Sequence, residues 1–495
     1  MEIPSYFLLL QKVKRQMKKL FTFFVAALLT ANASAERKEV HILSGNDMHA
    51  QIAYMPALAD IADSLRTLYP GLLVFSAGDN RTGDPLNDMN EIPAYPMVAL
   101  MNQIGFNATT LGNHEFDSGP SGLARLISLS NFSYLCCNAF ADASTGIHLL
   151  PSKTFDVEGI RVGVVGAVQL GTHGTPDSHP DNFRGIRFEP VDETVAKYEW
   201  MRKQNDVVIL LSHNGYENDV ESSAKLPWVD LIIGGHTHTQ LNGGEIHNNI
   251  LITQNVNKLK KVTHITVALE RNNADEAWRI IDKKAENIDV LGHQGQSKVV
   301  QDMVRFFSDN PTFRRVLAQL EKPLSTYEEL GCLMCDAFIK ETGADVGIEN
   351  YGGVRYGEHE AGDFTISDVL QLDPFGNDAV IMEITGKELV NMLLSCYEND
   401  DNQFPYVSGI ICDVEYDKKA PKVVKKLTVK TLEGKKFDLK KTYKVVTNSY
   451  VASITDAPRK DQGHSINKKT ADLIISFLEH EGRVDYQGKK RIFEH

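Results

Sequence analysis

A chain of 495 residues exceeds what one ordinary core organises, so two domains are expected. With 42% hydrophobic and 24% charged residues, the composition excludes a disordered polymer. A net charge of −13 argues against a partner held through its phosphate backbone, so no nucleic acid polymer is expected.

At the N-terminus Lys18 and Lys19 precede the apolar run 20–30, and Ala33-Ser34-Ala35 supplies small residues at a cleavage point. Residues 1–35 are read as an export signal whose apolar part is too short to span a bilayer. Met17 is an alternative start. This segment carries Lys12, Lys14, Arg15, Lys18 and Lys19 against Glu2, so its removal takes the net charge from −13 to −17. No second long apolar run follows, so stable membrane insertion is not expected, and the mature protein is expected in a periplasm or secreted. Export permits disulfides among Cys136, Cys137, Cys332, Cys335, Cys396 and Cys412. Cys332 and Cys335, spaced i, i+3 in an apolar helical stretch, read better as buried thiols than as a redox pair.

From Val40 to about Asp282, short apolar runs alternate with helical stretches. Strands are predicted at 40–43, 72–76, 108–111, 161–167, 207–211, 231–233 and 250–253, with a closing strand at 262–270. Helices are predicted at 55–68, 93–104 and 191–204. The alternation implies a layered α/β domain over 36–282. Residues 283–320 turn polar and helix-prone and are read as a partly helical linker. A second, smaller α+β domain is expected over 321–495, with helices at 330–342, 386–396 and 470–479 and strands at 407–416 and 442–447.

Five of the predicted strands end in side chains that bind cations. The stretches are Asp47-Met48-His49, Gly78-Asp79-Asn80, Gly112-Asn113-His114-Glu115-Phe116-Asp117, Ser212-His213-Asn214 and Gly234-Gly235-His236-Thr237-His238. In open α/β architectures ligands gather beyond the carboxyl ends of the strands. Asp47 with His49, and His236 with His238, would each point to one side of an extended chain. Glycines before the donors allow tight turns and close approach. The set offers two aspartates, one amide and four histidines, enough for two divalent cations, and the mixture suits borderline metals. Asp79, with two carboxylate oxygens, is the expected bridge.

On these motifs the chain resembles the calcineurin-like metallophosphoesterases, and among them the exported bacterial 5′-nucleotidases, a family that also holds UDP-sugar hydrolases and 2′,3′-cyclic-nucleotide phosphodiesterases. The resemblance implies an α/β/β/α metallophosphoesterase sandwich followed by the 5′-nucleotidase C-terminal domain. It implies one cation on Asp47, His49, Asp79 and His238, and a second on Asp79, Asn113, His213 and His236. The ions would be Mn, Zn, Co, Fe or Mg. A hydroxide shared between them would attack phosphorus, with His114 stabilising the transition state and Asp117 orienting His114.

The second domain carries Asn350-Tyr351-Gly352-Gly353-Val354-Arg355, which resembles a family segment whose arginine contacts phosphate, and Asp373-Pro374-Phe375-Gly376-Asn377, whose phenylalanine stacks on the base. Asn350, Gly353, Arg355, Phe375, Tyr450 and Asp456 are therefore the expected substrate residues. Three positions depart from the family pattern: Thr326 stands where an arginine is common, Tyr351 replaces a glycine, and Ile454-Thr455 replace a glycine pair. The expected activity is hydrolysis of nucleotide phosphate esters by a monomer with a small-molecule substrate, in a cleft between domains that rotate relative to one another. Cyclic phosphodiesterase, nucleotide-sugar hydrolase and non-nucleotide phosphomonoesterase activities are the alternatives within the same chemistry. A nucleotide-binding protein without turnover is the alternative outside it.

Overall fold

The computed structural model describes residues 35–295, 297–400 and 402–495. The expected export signal, apart from Ala35, lies outside the described residues. Among the described residues no helix is long and apolar enough to cross a membrane.

Two six-stranded sheets face each other in the first half of the chain. In the first, Glu36–Gly45 pairs in parallel with Leu73–Ser76, which continues in parallel to Ala108–Thr110 and Ser133–Leu135. Its other edge is antiparallel, through Lys261–Arg271 and Arg279–Asp289. In the second sheet Ile160–Val168, Val207–His213, Leu231–Ile233 and Ile250–Thr253 run parallel, flanked by antiparallel Ser152–Val157 and Glu245–His247. The central strands are apolar on both faces because both faces are covered; every residue of Leu73–Ser76 and of Val207–His213 is buried. Ile42, Phe75, Val162 and Ile209 fill the space between the sheets.

Helices Met55–Leu68, Tyr95–Ile104 and Gly119–Leu129 cover the outside of the first sheet through Leu58, Leu100 and Leu123. Val195, Leu226 and Trp228 pack with Val208 and Leu210 on the outside of the second. The layers therefore run helix, sheet, sheet, helix. Parallel pairing brings the carboxyl ends of three strands of one sheet beside those of two strands of the other, and the metal-binding motifs sit at those ends.

The stretch read as a linker, 283–320, is more ordered than its polarity implied. Residues 283–289 belong to Arg279–Asp289, which extends the first sheet as an exposed edge strand. The helical part is Lys298–Ser308, whose Val300, Met303, Val304 and Phe307 pack onto the first domain's helical layer. Val316–Leu320 pairs with Gly362–Thr365 in the second domain.

A five-stranded sheet organises that second domain, in the order Tyr406–Ser408, Val346–Glu349, Thr442–Asn448, Asp378–Thr385, His464–Lys469. Helices Tyr327–Thr342 and Thr470–Glu481 pack on one face around Leu333, Phe338, Val446 and Ile474. Helix Gly386–Asn399 packs on the other around Leu389, Leu393, Met382 and Val445. All six cysteines are buried free thiols, and burial pushes Cys136, Cys332 and Cys412 up to about 12.

Candidate metal centre and cleft

The tip of Glu36–Gly45 is laced onto the loop after Leu73–Ser76. Asp47 N donates to Gly78 O, His49 N to Asp79 O and Ala50 N to Asn80 O, each at 3.0 Å. The lacing twists the chain out of the strand conformation. Asp47, His49, Asp79, His236 and His238 all have positive φ, from 44° at His49 to 83° at His236. Asp47 and His49 thus converge through left-handed turns and not through β alternation, as the sequence pattern implied, and the same holds for His236 and His238. Non-glycine residues hold this conformation at a cost of about 1–3 kcal/mol each, and such strain persists where neighbours over-determine it.

All seven candidate ligands come together. His238 Nε2 lies 3.3 Å from Asp47 Oδ1, and His49 Nε2 lies 3.2 Å from His238 Nε2. His213 Nε2 lies 3.2 Å from Asp79 Oδ2, and His236 Nδ1 lies 3.1 Å from Asn113 Oδ1. Among the described residues three trios have donor atoms within 4.8 Å of one another: Asp47, His49, His238; Asp47, Asp79, His213; and His49, Asp79, His114. Gly112 permits the closeness; a Cβ there would lie 2.1 Å from Asp79 Oδ1.

The donors fit divalent cations. His213 Nδ1 donates to Ala77 O at 2.6 Å, which leaves Nε2 as a buried nitrogen with no hydrogen-bond partner, aimed at the carboxylates. His49 Nδ1 lies 2.9 Å from Thr82 O, which leaves Nε2 as the ring's acceptor, facing His238 Nε2 and Arg355 Nη2. Outer hydrogen bonds of this kind fix which ring nitrogen faces a metal. The electrostatics ask for positive charge. Burial alone would lower the His213 pKa, but Asp79 and Asp47 raise it to about 10. A bound cation would take the place of that proton. His236, by contrast, is pushed down to about 3 by burial and by His213.

His114 and Asp117 form a pair beside this cluster. His114 Nδ1 lies 2.8 Å from Asp117 Oδ2, and His114 Nε2 lies 4.0 Å from Asp79 Oδ2. Burial works against the charged imidazole, but Asp79 and then Asp117 outweigh it and raise His114 above its usual value. Burial likewise opposes the Asp117 carboxylate, and His114 overcomes it and holds Asp117 below the usual range.

A cavity of about 370 Å³ opens over the cluster and is walled by both domains. Among the expected substrate residues, Asn350, Arg355, Phe375 and Tyr450 line it. Asp456 lines an adjoining cavity of about 280 Å³ on the far side of Tyr450. Gly353 lines neither; it packs where a Cβ would lie 2.0 Å from Glu349 Oε1. A larger groove of about 620 Å³, bordered by Asp336, Lys340 and Glu481, contains none of the site residues. Arg355 Nη2 reaches across to lie 3.3 Å from each ring nitrogen of His49. Lys258 Nζ donates to Arg355 O at 3.0 Å, and the Phe375 ring stacks on His114 with centroids 5.8 Å apart. Thr326 is taken up by the fold. It caps helix Tyr327–Thr342, with its hydroxyl accepting from Glu329 N at 3.2 Å while Glu329 Oε2 accepts from Thr326 N at 3.1 Å.

Sequence reasoning passed over the segment Asp177-Ser178. Ser178 Oγ donates to Asp117 Oδ1 at 2.8 Å, Asp177 O accepts from Asn113 Nδ2 at 3.0 Å, and Asp177 Oδ2 lies 3.7 Å from His236 Nε2. The only local signal was a Thr-Pro-Asp-Ser turn with no strand before it. Thr82, whose hydroxyl donates to Asp117 Oδ2 at 2.7 Å, was also passed over.

The profile of calcineurin-like phosphoesterases matches residues 41–240, and that of the 5′-nucleotidase C-terminal domain matches residues 309–457. The trifunctional nucleotide phosphoesterase protein YfkN of Bacillus subtilis is 26% identical over 503 residues; the match takes in 91% of this chain and 33% of that longer protein. Protein UshA of Salmonella pullorum is 28% identical, with 88% of this chain and 90% of UshA covered. In overall shape the chain matches the crystal structure of a 5′-nucleotidase precursor from Thermus thermophilus, with a TM-score of 0.79, 24% identity, and 92% of this chain and 99% of that one covered.

Proposed function

Because the chain belongs to the calcineurin-like phosphoesterases that carry a 5′-nucleotidase C-terminal domain, we propose that it is an exported hydrolase of nucleotide phosphate esters working at a pair of divalent cations. Asp47, His49, Asp79 and His238 would hold one cation, and Asp79, Asn113, His213 and His236 the other. The observation that carries the reading is the convergence of these seven donors, with the buried, unpartnered Nε2 of His213 aimed at Asp79.

Two divalent cations, when bound, supply positive charge against the phosphoryl oxygens and acidify a shared water. The chain's own residues do the rest. Asp117 fixes the His114 ring through Nδ1, which turns Nε2 toward the cleft as a donor. His114 then stabilises charge on the departing oxygen and delivers a proton to it. Arg355 presents a guanidinium fork suited to phosphate. Phe375 and Tyr450 offer aromatic faces to a base from the second domain, and rotation of that domain, which the family resemblance implies, would carry substrate to the cations. The name of the Bacillus relative supports nucleotides as the substrate class. Tyr351, which lines the cleft where the family pattern has a glycine, supports a preference of this chain's own within that class.

The test is release of inorganic phosphate from AMP with Mn²⁺, before and after chelation, alongside a panel of nucleoside mono-, di- and cyclic phosphates and nucleotide sugars. Chelation should abolish release and Mn²⁺ should restore it. Two bound ions with no turnover on any member of the panel would instead make this a binding protein.

A further inference from the structure

Glu115 stands inside the motif that supplies Asn113, His114 and Asp117, yet it does not line the cleft and is only 2% exposed. Its carboxylate accepts four hydrogen bonds. Oε2 takes the peptide N–H of Asp79 at 2.9 Å and of Gly112 at 2.6 Å. Oε1 takes the peptide N–H of Asn80 at 2.9 Å and the Asn80 side-chain amide at 3.1 Å. An ionised carboxylate has about four acceptor sites, and all are used. The three peptide donors belong to two loops, one after Leu73–Ser76 and one after Ala108–Thr110. A single buried side chain thus ties the loop that carries Asp79 to the loop that carries Asn113.

Two features make the tie consequential. Asp79 has φ of 50°, a conformation a non-glycine residue keeps only where its surroundings fix it. Asp79 Oδ1 also accepts from His114 N at 2.9 Å, so its carboxylate is aimed from the Glu115 turn as well.

We propose that Glu115 is a positioning residue of the metal centre, fixing the bridging carboxylate of Asp79 against Asn113 and thereby the spacing at which two cations are held. The proposal rests on the dinuclear reading given above. Loss of an outer partner of a metal ligand typically weakens ion binding about 10- to 100-fold.

The experiment is calorimetric titration of the metal-free full chain with Mn²⁺, comparing the wild type with Glu115→Gln and Glu115→Asp. The melting temperature of each metal-free protein is recorded alongside. The wild type should take two ions. Glu115→Gln turns an amide N–H₂ toward donors and should bind at least one ion about 10- to 100-fold more weakly while still melting cooperatively. Glu115→Asp should fall between the two. Wild-type ion affinities in a folded Glu115→Gln protein would overturn the proposal. Failure of both variants to fold would also overturn it, by assigning the carboxylate to the fold alone. A wild type that takes no second ion would sink the dinuclear reading itself, a result distinct from either.

Discussion

Replacing Asp117 by asparagine isolates the charge that faces His114. The carboxylate lies 2.8 Å from His114 Nδ1 and accepts the Thr82 and Ser178 hydroxyls at 2.7 and 2.8 Å. Asparagine has nearly the same outline, so the ring keeps its surroundings while the charge goes. Two unit charges about 4 Å apart attract by about 4 kcal/mol at an effective dielectric near 20. That ceiling corresponds to about 10³ in rate. If His114 acts as a cation on the leaving oxygen, kcat should fall by about 10²- to 10³-fold with ion content unchanged. The pH effect has a definite sign. Asp117 helps raise His114 above its usual value, so its loss lowers that pKa and moves the alkaline limb of the rate profile to lower pH. The assay is phosphate release from AMP at saturating Mn²⁺ across the pH range, with bound ions measured on the same samples. A kcat within about threefold of wild type would refute the assignment of His114 and Asp117 as a catalytic pair.

Arg355→Ala should raise KM for AMP by about 10- to 100-fold, the worth of a charge-assisted phosphate contact, and leave ion content intact; an unchanged KM would remove Arg355 from the phosphate site. Phe375→Ala should cut kcat/KM for AMP by about 10-fold or more and spare a phosphate ester without a base, and equal losses on both would contradict a stacking role. Asp219 is fully buried, its Oδ2 has no hydrogen-bond partner, and burial lifts its carboxyl to about 7 from 3.8. A carboxyl raised on folding favours the folded chain while protonated, so stability is lost as pH rises from about 4 through about 7. The full loss is on the order of 4 kcal/mol. Melting temperature against pH should therefore fall less steeply in Asp219→Asn, and parallel slopes would show that Asp219 is not the source.

Most of the first domain's parallel strands were legible because burial on both faces writes them as unbroken apolar runs, as in Val207–His213, whereas the short parallel strands Ser133–Leu135 and Val346–Glu349 were not. Arg279–Asp289 was not, because an exposed edge strand has one polar face and draws its order from the open edge of Lys261–Arg271. The motifs named the residues that converge, but for Asp47 and His49 the sequence argument reached the right pairing by the wrong geometry. Alternation in an extended chain was assumed, whereas lacing between loops drives both residues to positive φ. Thr326 read as a missing arginine, and its use as a helix cap emerges only with the Glu329 contact. Ser178 could not be found from sequence, since it meets Asp117 across 61 positions with no motif of its own.

The most direct measurement is anomalous diffraction from a crystal of the protein grown in Mn²⁺. Two peaks about 3.5–4 Å apart, with the Asp79 carboxylate between them, are predicted. A single peak, or two peaks remote from Asp79, would contradict a dinuclear centre at the strand ends.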